Sequence, residues 1–167
     1  MPWAVFAISL ILSVVAEVVA GNYGWLVPCL PICAYYFTMR YGVQRTLLGA
    51  VLAGAMVDGC WMHHFPSQVL TILVVLGCSS VWKPYGDVNS GLSLALSGLC
   101  IGVVSWLIHL LGMMTAGGLG NDCFYLIQIL VYQVVISILI VPVFAFVLNR
   151  MLQRSVTWLS APDEDNE

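Results

Sequence analysis

Long apolar stretches follow one another along this chain, and each ends at a short stretch rich in polar, glycine or proline residues. Most are close to the ~20 residues that an α-helix needs to cross a bilayer. The second stretch is shorter and contains Pro28 and Pro31, which a helix tolerates in its first turns. The pattern predicts an all-α integral membrane protein, a compact bundle of six transmembrane helices over residues 2–20, 25–39, 44–62, 67–82, 90–114 and 123–148.

The composition also indicates a membrane protein. Of the 167 residues, 61% are hydrophobic and 8% are charged, whereas a soluble domain carries about 25% charged residues. Only five residues are basic, which argues against binding of nucleic acid. We assign residues 1–155 to the transmembrane domain, and residues 156–167 to an acidic and disordered cytoplasmic tail.

The basic residues predict the orientation in the membrane. With six spans, all five lie on the same side: Arg40, Arg45, Lys83, Arg150 and Arg154. The positive-inside rule makes that side cytoplasmic. We therefore expect a multi-pass protein with both termini in the cytoplasm (N-in/C-in), whereas a five-span arrangement would divide the basic residues between the two sides.

Small residues mark one face of the third predicted span, and an acid follows them. Small side chains at helical spacing let another helix approach closely. A carboxylate at the centre of the hydrocarbon costs roughly 2.5–3.5 kcal/mol, so the acid should face protein or water. We expect this helix to lie at the middle of the bundle, with the other helices around it. Its face consists of Thr46, Ala50, Gly54 and Asp58, with Gly49 and Ala53 beside them, and the fifth span carries a second small-residue pair, Gly98 and Gly102.

Acidic and histidine side chains collect on the opposite, external side of the predicted bundle. They are Glu17, Asp58, His63, His64, His109 and Asp122. Three interpretations are open: a metal or proton site, an external polar pocket for a solute, and structural contacts. Adjacent histidines point about 100° apart on a helix and do not easily share one ion. The structural interpretation is favoured, in which Asp58 accepts hydrogen bonds from Asn22, Ser67 or Gln68.

The sequence contains no recognisable catalytic motif. Ser105 and His109 are four residues apart and could share a hydrogen bond, but no acid in register completes a hydrolytic triad. The six cysteines are scattered and show no zinc-binding spacing. We therefore predict a protein that is not an enzyme, with no cofactor and no metal.

In these features the sequence resembles the rod-shape-determining membrane protein family MreD, as a divergent member. The likeness lies in the short second span with its prolines, the arginine-containing turn after it, and Gly49, Gly54 and Asp58 followed by a short loop with Pro66. It covers residues 1–155 in architecture and 25–85 in motif. Two features depart from the family, which carries more basic cytoplasmic loops and a basic rather than an acidic end.

The resemblance implies a non-enzymatic scaffold in the bacterial inner (plasma) membrane. Such proteins pair with the bitopic protein MreC, in the complex that couples MreB filaments to peptidoglycan synthesis during cell-shape control. The residues then expected at helix or partner contacts are Gly49, Ala50, Ala53, Gly54, Asp58, Gly98 and Gly102.

One alternative is the substrate-binding membrane subunit of an energy-coupling-factor vitamin transporter, which is also a six-helix bundle. Its ligand would lie among the external helix ends, and only this alternative has a small-molecule ligand. Such subunits typically dock their coupling protein through an A-x-x-x-A stripe on the first span. The alanines of this first span show no clear pattern of that kind.

Overall fold

The computed structural model describes residues 3–23, 25–61, 65–84, 90–115 and 123–159. Over these residues all the regular structure is α-helical, which confirms the predicted all-α class. The helices are α1 (Trp3–Asn22), α2 (Cys29–Tyr41), α3 (Val43–Cys60), α4 (Ser67–Trp82), α5 (Gly91–Thr115) and α6 (Cys123–Leu159).

Most helix ends lie within two residues of their predicted positions, and two differ more. Helix α2 begins at Cys29 rather than Trp25, because Pro28 disfavours a helical conformation at the residue before it. Helix α6 continues to Leu159, past the predicted end of its span at 148 and past the domain boundary at 155. Residues 160–167 of the predicted tail lie outside the described residues.

Three of the described helices are long and apolar enough to cross a membrane: α1, α5 and the Leu126–Met151 part of α6. Helix α4 is apolar but has only 16 residues. Helix α2 has 13 residues, which corresponds to a length of about 20 Å at 1.5 Å per residue. A membrane protein is therefore supported by these three helices.

Helix α2, not α3, lies at the centre of the bundle. Every residue from Leu30 to Met39 is buried, whereas α3 leaves Leu48, Leu52 and Met56 exposed at 75%, 59% and 64%. The prediction of a central α3 was wrong because a stripe of small residues marks close contact on one face only. The large aromatic side chains of α2 fill the space between the surrounding helices.

The small-residue faces are used for contacts within the chain. A Cβ atom at Gly54 would lie 2.6 Å from Ile72 Cδ1 of α4, and one at Gly49 would lie 2.8 Å from the Phe6 ring of α1. Gly98 and Gly102 of α5 pack directly on the backbone of α6. These glycines therefore bring helices of this protein together.

Basic residues meet at one end of the bundle. Arg40, in the last turn of α2, donates hydrogen bonds to Asn149 Oδ1 of α6 and to Tyr36 Oη, the latter at 3.1 Å. Gly42, with φ of 92°, turns the chain from α2 into α3. The Lys83 ammonium lies beside this turn, 3.8 Å from the position of a Cβ on Gly42.

Candidate functional site

At the other end of the bundle, Asp58 of α3 caps the first turn of α4. Its Oδ1 accepts hydrogen bonds from the amide of Gln68 at 3.0 Å and from Ser67 Oγ at 3.3 Å, and its Oδ2 accepts one from the amide of Val69 at 3.1 Å. The first amides of a helix have no acceptor within the helix. Asp58 provides the acceptors for two of these amides, those of Gln68 and Val69. The structural interpretation of this acid predicted hydrogen bonds from Ser67 or Gln68, and both are formed.

Glu17 of α1 caps the first turn of α2 in the same manner. Its Oε2 accepts a hydrogen bond from the amide of Leu30 at 2.9 Å, and its side chain is only 4% exposed. The next residue, Pro31, has no N–H group to donate. The other carboxylate oxygen instead accepts a hydrogen bond from the side-chain amide of Gln68.

The two helix starts share one backbone turn. Pro28 (φ −81°, ψ 60°) precedes α2 and Pro66 (φ −75°, ψ 67°) precedes α4. Each lies at the centre of an inverse γ-turn, with a hydrogen bond from Cys29 to Val27 at 2.9 Å and from Ser67 to Phe65 at 2.8 Å. The same motif therefore occurs twice in this chain: a proline turn is followed by the start of a helix, and an acid of the preceding helix caps that start. We call each occurrence a capped corner.

Gln68 connects the two corners. Its backbone amide donates to Asp58, while its side-chain Nε2 donates to Glu17. This one residue therefore links α1, α3 and α4 at the end of the bundle that carries both acids.

A polar cavity of about 40 Å³ lies next to this linkage. A buried water needs roughly 10–15 Å³, so the cavity has room for about three. Five helices of the bundle, α1 and α3–α6, contribute to its wall together with the α1–α2 connection. The polar side chains on the wall include Glu17, Gln68, Thr71, Ser105, His109 and Gln133.

Three buried oxygen atoms at the cavity have no hydrogen-bond partner within the described part of the chain. They are Gln68 Oε1, Ser105 Oγ and Gln133 Oε1. Gln133 is only 4% exposed. Leaving a buried polar atom unpaired costs about 1–3 kcal/mol, so these three atoms give the wall of the cavity unused hydrogen-bonding capacity.

The structure brings together only part of the predicted acid–histidine cluster. Glu17 and His109 line the cavity. Asp58 of α3 does not line it but is hydrogen-bonded to Gln68, which does. His63, His64 and Asp122 lie outside the described residues. No group of three or more histidine, cysteine or acidic side chains that could hold a metal occurs among the residues that the structure describes.

The hydrogen bond that the spacing of Ser105 and His109 allows is not formed, because Ser105 Oγ has no partner in the described residues. Sequence reasoning also missed Gln133 as a cavity residue and the side chain of Gln68 as a bridge between the acids. The available signal was the rarity of amide side chains in apolar helices. An amide within a span has to face protein or water, and Gln133 does so.

Comparisons with known protein families, with curated proteins and with solved structures returned no match.

Proposed function

We propose that this protein is a six-span scaffold of the bacterial inner membrane, of the MreD kind. In this proposal it binds a bitopic MreC-like partner in the complex that builds the cell wall during elongation. Its support is the sequence resemblance over residues 25–85, together with an exposed face on α3 that combines large apolar and small residues.

Short connections and tight packing between consecutive helices support six spans. A single residue, Gly42, separates α2 from α3, and six residues separate α1 from α2. If α1 crosses the membrane, α2 and α3 then have to return and cross again, because each packs on its neighbour in sequence. Helix α2 can be short because protein rather than lipid surrounds it.

The basic end of the bundle supports the N-in/C-in orientation. Arg40 is hydrogen-bonded to Asn149, the residue before Arg150. Lys83 lies beside the α2–α3 turn. These basic residues come from the end of α2, the end of α4 and the C-terminal part of α6 but meet at one end of the bundle, which the positive-inside rule makes cytoplasmic. The capped corners and the polar cavity then lie on the external side.

The surface proposed for the partner is the outer face of α3. The face that packs inward, around Gly54, is occupied by α4 and is not open to a partner. The outer face consists of Leu48, Leu52, Ala55, Met56 and Gly59, all exposed. A Cβ at Gly59 would meet nothing within 4 Å, so the backbone is open there to a second helix. Small residues four apart, as Ala55 and Gly59 are, favour such close helix contact.

Substitution of Gly59 by leucine tests this surface. The new side chain points away from the fold, so the protein should fold normally, but it should block the approach of a partner helix. We expect at least a tenfold loss of the MreC-like protein that co-purifies from membranes. The measurement is quantitative pull-down at equal levels of the folded scaffold.

The matched control is Gly77→Leu on α4, where a Cβ also meets nothing within 4 Å. It adds the same bulk to the same kind of lipid-facing helix and should leave co-purification unchanged. Equal recovery of the partner with Gly59→Leu and Gly77→Leu would remove the α3 face from the proposal. Loss with both would place the contact on a broader surface.

The size of the polar cavity favours a scaffold over the vitamin-binding alternative. Small-molecule sites usually enclose about 300–1,000 Å³, whereas the cavity at the external helix ends measures about 40 Å³. That space suits water or an ion and is too small for a vitamin.

A further inference from the structure

We propose that the polar cavity binds one monovalent cation. Its ligands are the carboxylate of Glu17, the amide oxygens of Gln68 and Gln133, and the hydroxyl of Ser105. All four side chains line the cavity. The proposal does not depend on the scaffold function.

The first argument is the balance of charge around the cavity. Glu17 and Asp58 are both buried, and they bring two negative charges when both carboxyl groups are ionised. The N-termini of α2 and α4, which they cap, each carry about half a positive charge. About one negative charge remains, and no lysine or arginine lines the cavity among the described residues. One monovalent cation would neutralise this remainder.

The second argument is the distribution of unpaired oxygens. Asp58 accepts three hydrogen bonds, all from the start of α4, which uses most of the roughly four lone-pair sites of a carboxylate. Glu17 receives one donor on each oxygen and retains free lone pairs. The oxygens of Gln68, Ser105 and Gln133 lack any partner within the described structure. The spare acceptors therefore collect on the cavity side of Glu17.

The third argument is the chemistry of the ligands and the space. All four ligands are oxygen atoms, which hard cations prefer, whereas transition metals favour histidine and cysteine. The volume of about 40 Å³ accepts an ion with one or two waters. The non-helical segment from Trp25 to Pro28 also borders the cavity, and irregular backbone at membrane depth is tolerated where it lines a polar cavity.

Titration of the purified protein with NaCl is the direct test. Trp25 and Trp61 border the cavity, so their fluorescence should respond when the ion binds. The protein in detergent is titrated with NaCl or KCl at constant ionic strength, with choline chloride as the balancing salt. We expect a saturable change with at least one metal ion and a rise in melting temperature of about 3 °C or more. Identical curves in all three salts would overturn the proposal and leave water in the cavity.

Two variants assign the response to this site. Gln133→Leu removes one ligand, and Glu17→Gln removes the charge while retaining hydrogen-bonding capacity. Each should weaken the saturable response at least tenfold. Gln128→Leu is the matched control, because Gln128 lies on the same helix but is exposed, and its response should equal that of the original protein. A response that survives in both cavity variants would place the ion elsewhere and overturn the assignment. The titration of the unsubstituted protein decides the question even if one variant does not fold.

Discussion

The first four helices and the last two are held together by different means. In the α1–α4 unit, carboxylates of one helix cap the start of the next, around α2, which is buried from Leu30 to Met39. In the α5–α6 hairpin, Gly98 and Gly102 bring two long helices into backbone contact near their middles. The polar groups differ as well. Most buried polar side chains of α1–α4 are paired, as Thr38 is with Thr46. Four on the hairpin have an unpaired atom in the described structure: Ser105, Tyr132, Gln133 and Ser137.

This difference shows how the two units divide their tasks. Lipid gives helices no hydrophobic drive to associate, so packing and hydrogen bonds have to hold them. The α1–α4 unit uses its hydrogen-bonding groups for this purpose and has few to spare. The hairpin associates mainly through packing, together with a hydrogen bond from Trp106 Nε1 to the Leu126 carbonyl oxygen at 3.1 Å. The four unpaired side chains of the hairpin remain available. Two of these side chains, Ser105 and Gln133, line the cavity between the two units.

The largest expected effect comes from Gly98→Leu, which attacks the packing of the hairpin. A Cβ there would lie 2.6 Å from the Ser137 carbonyl oxygen and 2.9 Å from Ile138 Cα. Backbone atoms cannot move aside as a flexible side chain can, so the helices have to separate. We expect a loss of about 3 kcal/mol or more, measured by SDS-induced unfolding in mixed micelles with circular dichroism. Gly77→Leu should unfold like the original protein. A Gly98→Leu protein of unchanged stability would contradict the close contact between α5 and α6.

The second-largest effect is expected from Asp58→Ala, which removes the cap at the start of α4 in the α1–α4 unit. The substitution leaves the amides of Gln68 and Val69 without their acceptor in a partly buried helix start. At about 1–3 kcal/mol for each buried unpaired donor, we expect a loss of about 2–4 kcal/mol in the same unfolding measurement. Asp58→Asn retains a side-chain acceptor and should lose less. Equal losses from the two substitutions would mean that charge, rather than capping, is what Asp58 contributes.

The sequence predicted these helices well because their ends are local features. The bounds of α4, residues 67–82, were predicted to the residue, since Pro66 and the polar loop after Trp82 limit an apolar stretch. The central position of α2 was not predictable in this way. Whether a helix lies inside or outside depends on contacts between distant parts of the chain, and an apolar helix in a membrane protein can face either protein or lipid.

In the candidate site, too, local contacts could be predicted from the sequence and contacts between distant parts of the chain could not. The Asp58 cap was predictable because its partners, Ser67 and Gln68, follow after one short loop. The role of Gln133 was not, because it depends on how the α5–α6 hairpin packs against helices far away in sequence. An amide in an apolar span indicates only that the side chain avoids lipid. It does not show which polar groups it meets.

The smallest expected effect, Glu17→Ala, sharpens the contrast between the two capped corners. Pro31 stands where Val69 stands in the other corner, so Glu17 caps one backbone amide and Asp58 caps two. The cavity beside Glu17 also has room for water, which can accept the hydrogen bond from the Leu30 amide after the carboxylate is removed. We therefore expect a loss of about 1–2 kcal/mol, near half of that for Asp58→Ala.

The comparison is made in choline chloride, so that any bound metal ion does not add to the stability of the original protein. Far-ultraviolet circular dichroism in SDS titrations gives the two free energies on one scale. If Glu17→Ala costs as much as Asp58→Ala under these conditions, water does not replace the lost acceptor, and the cavity beside Glu17 is closed to solvent. If it costs clearly less, the two corners share a backbone turn but differ in function. The α3–α4 corner then serves stability alone, while the α1–α2 corner gives up part of its stability to keep a carboxylate at the cavity.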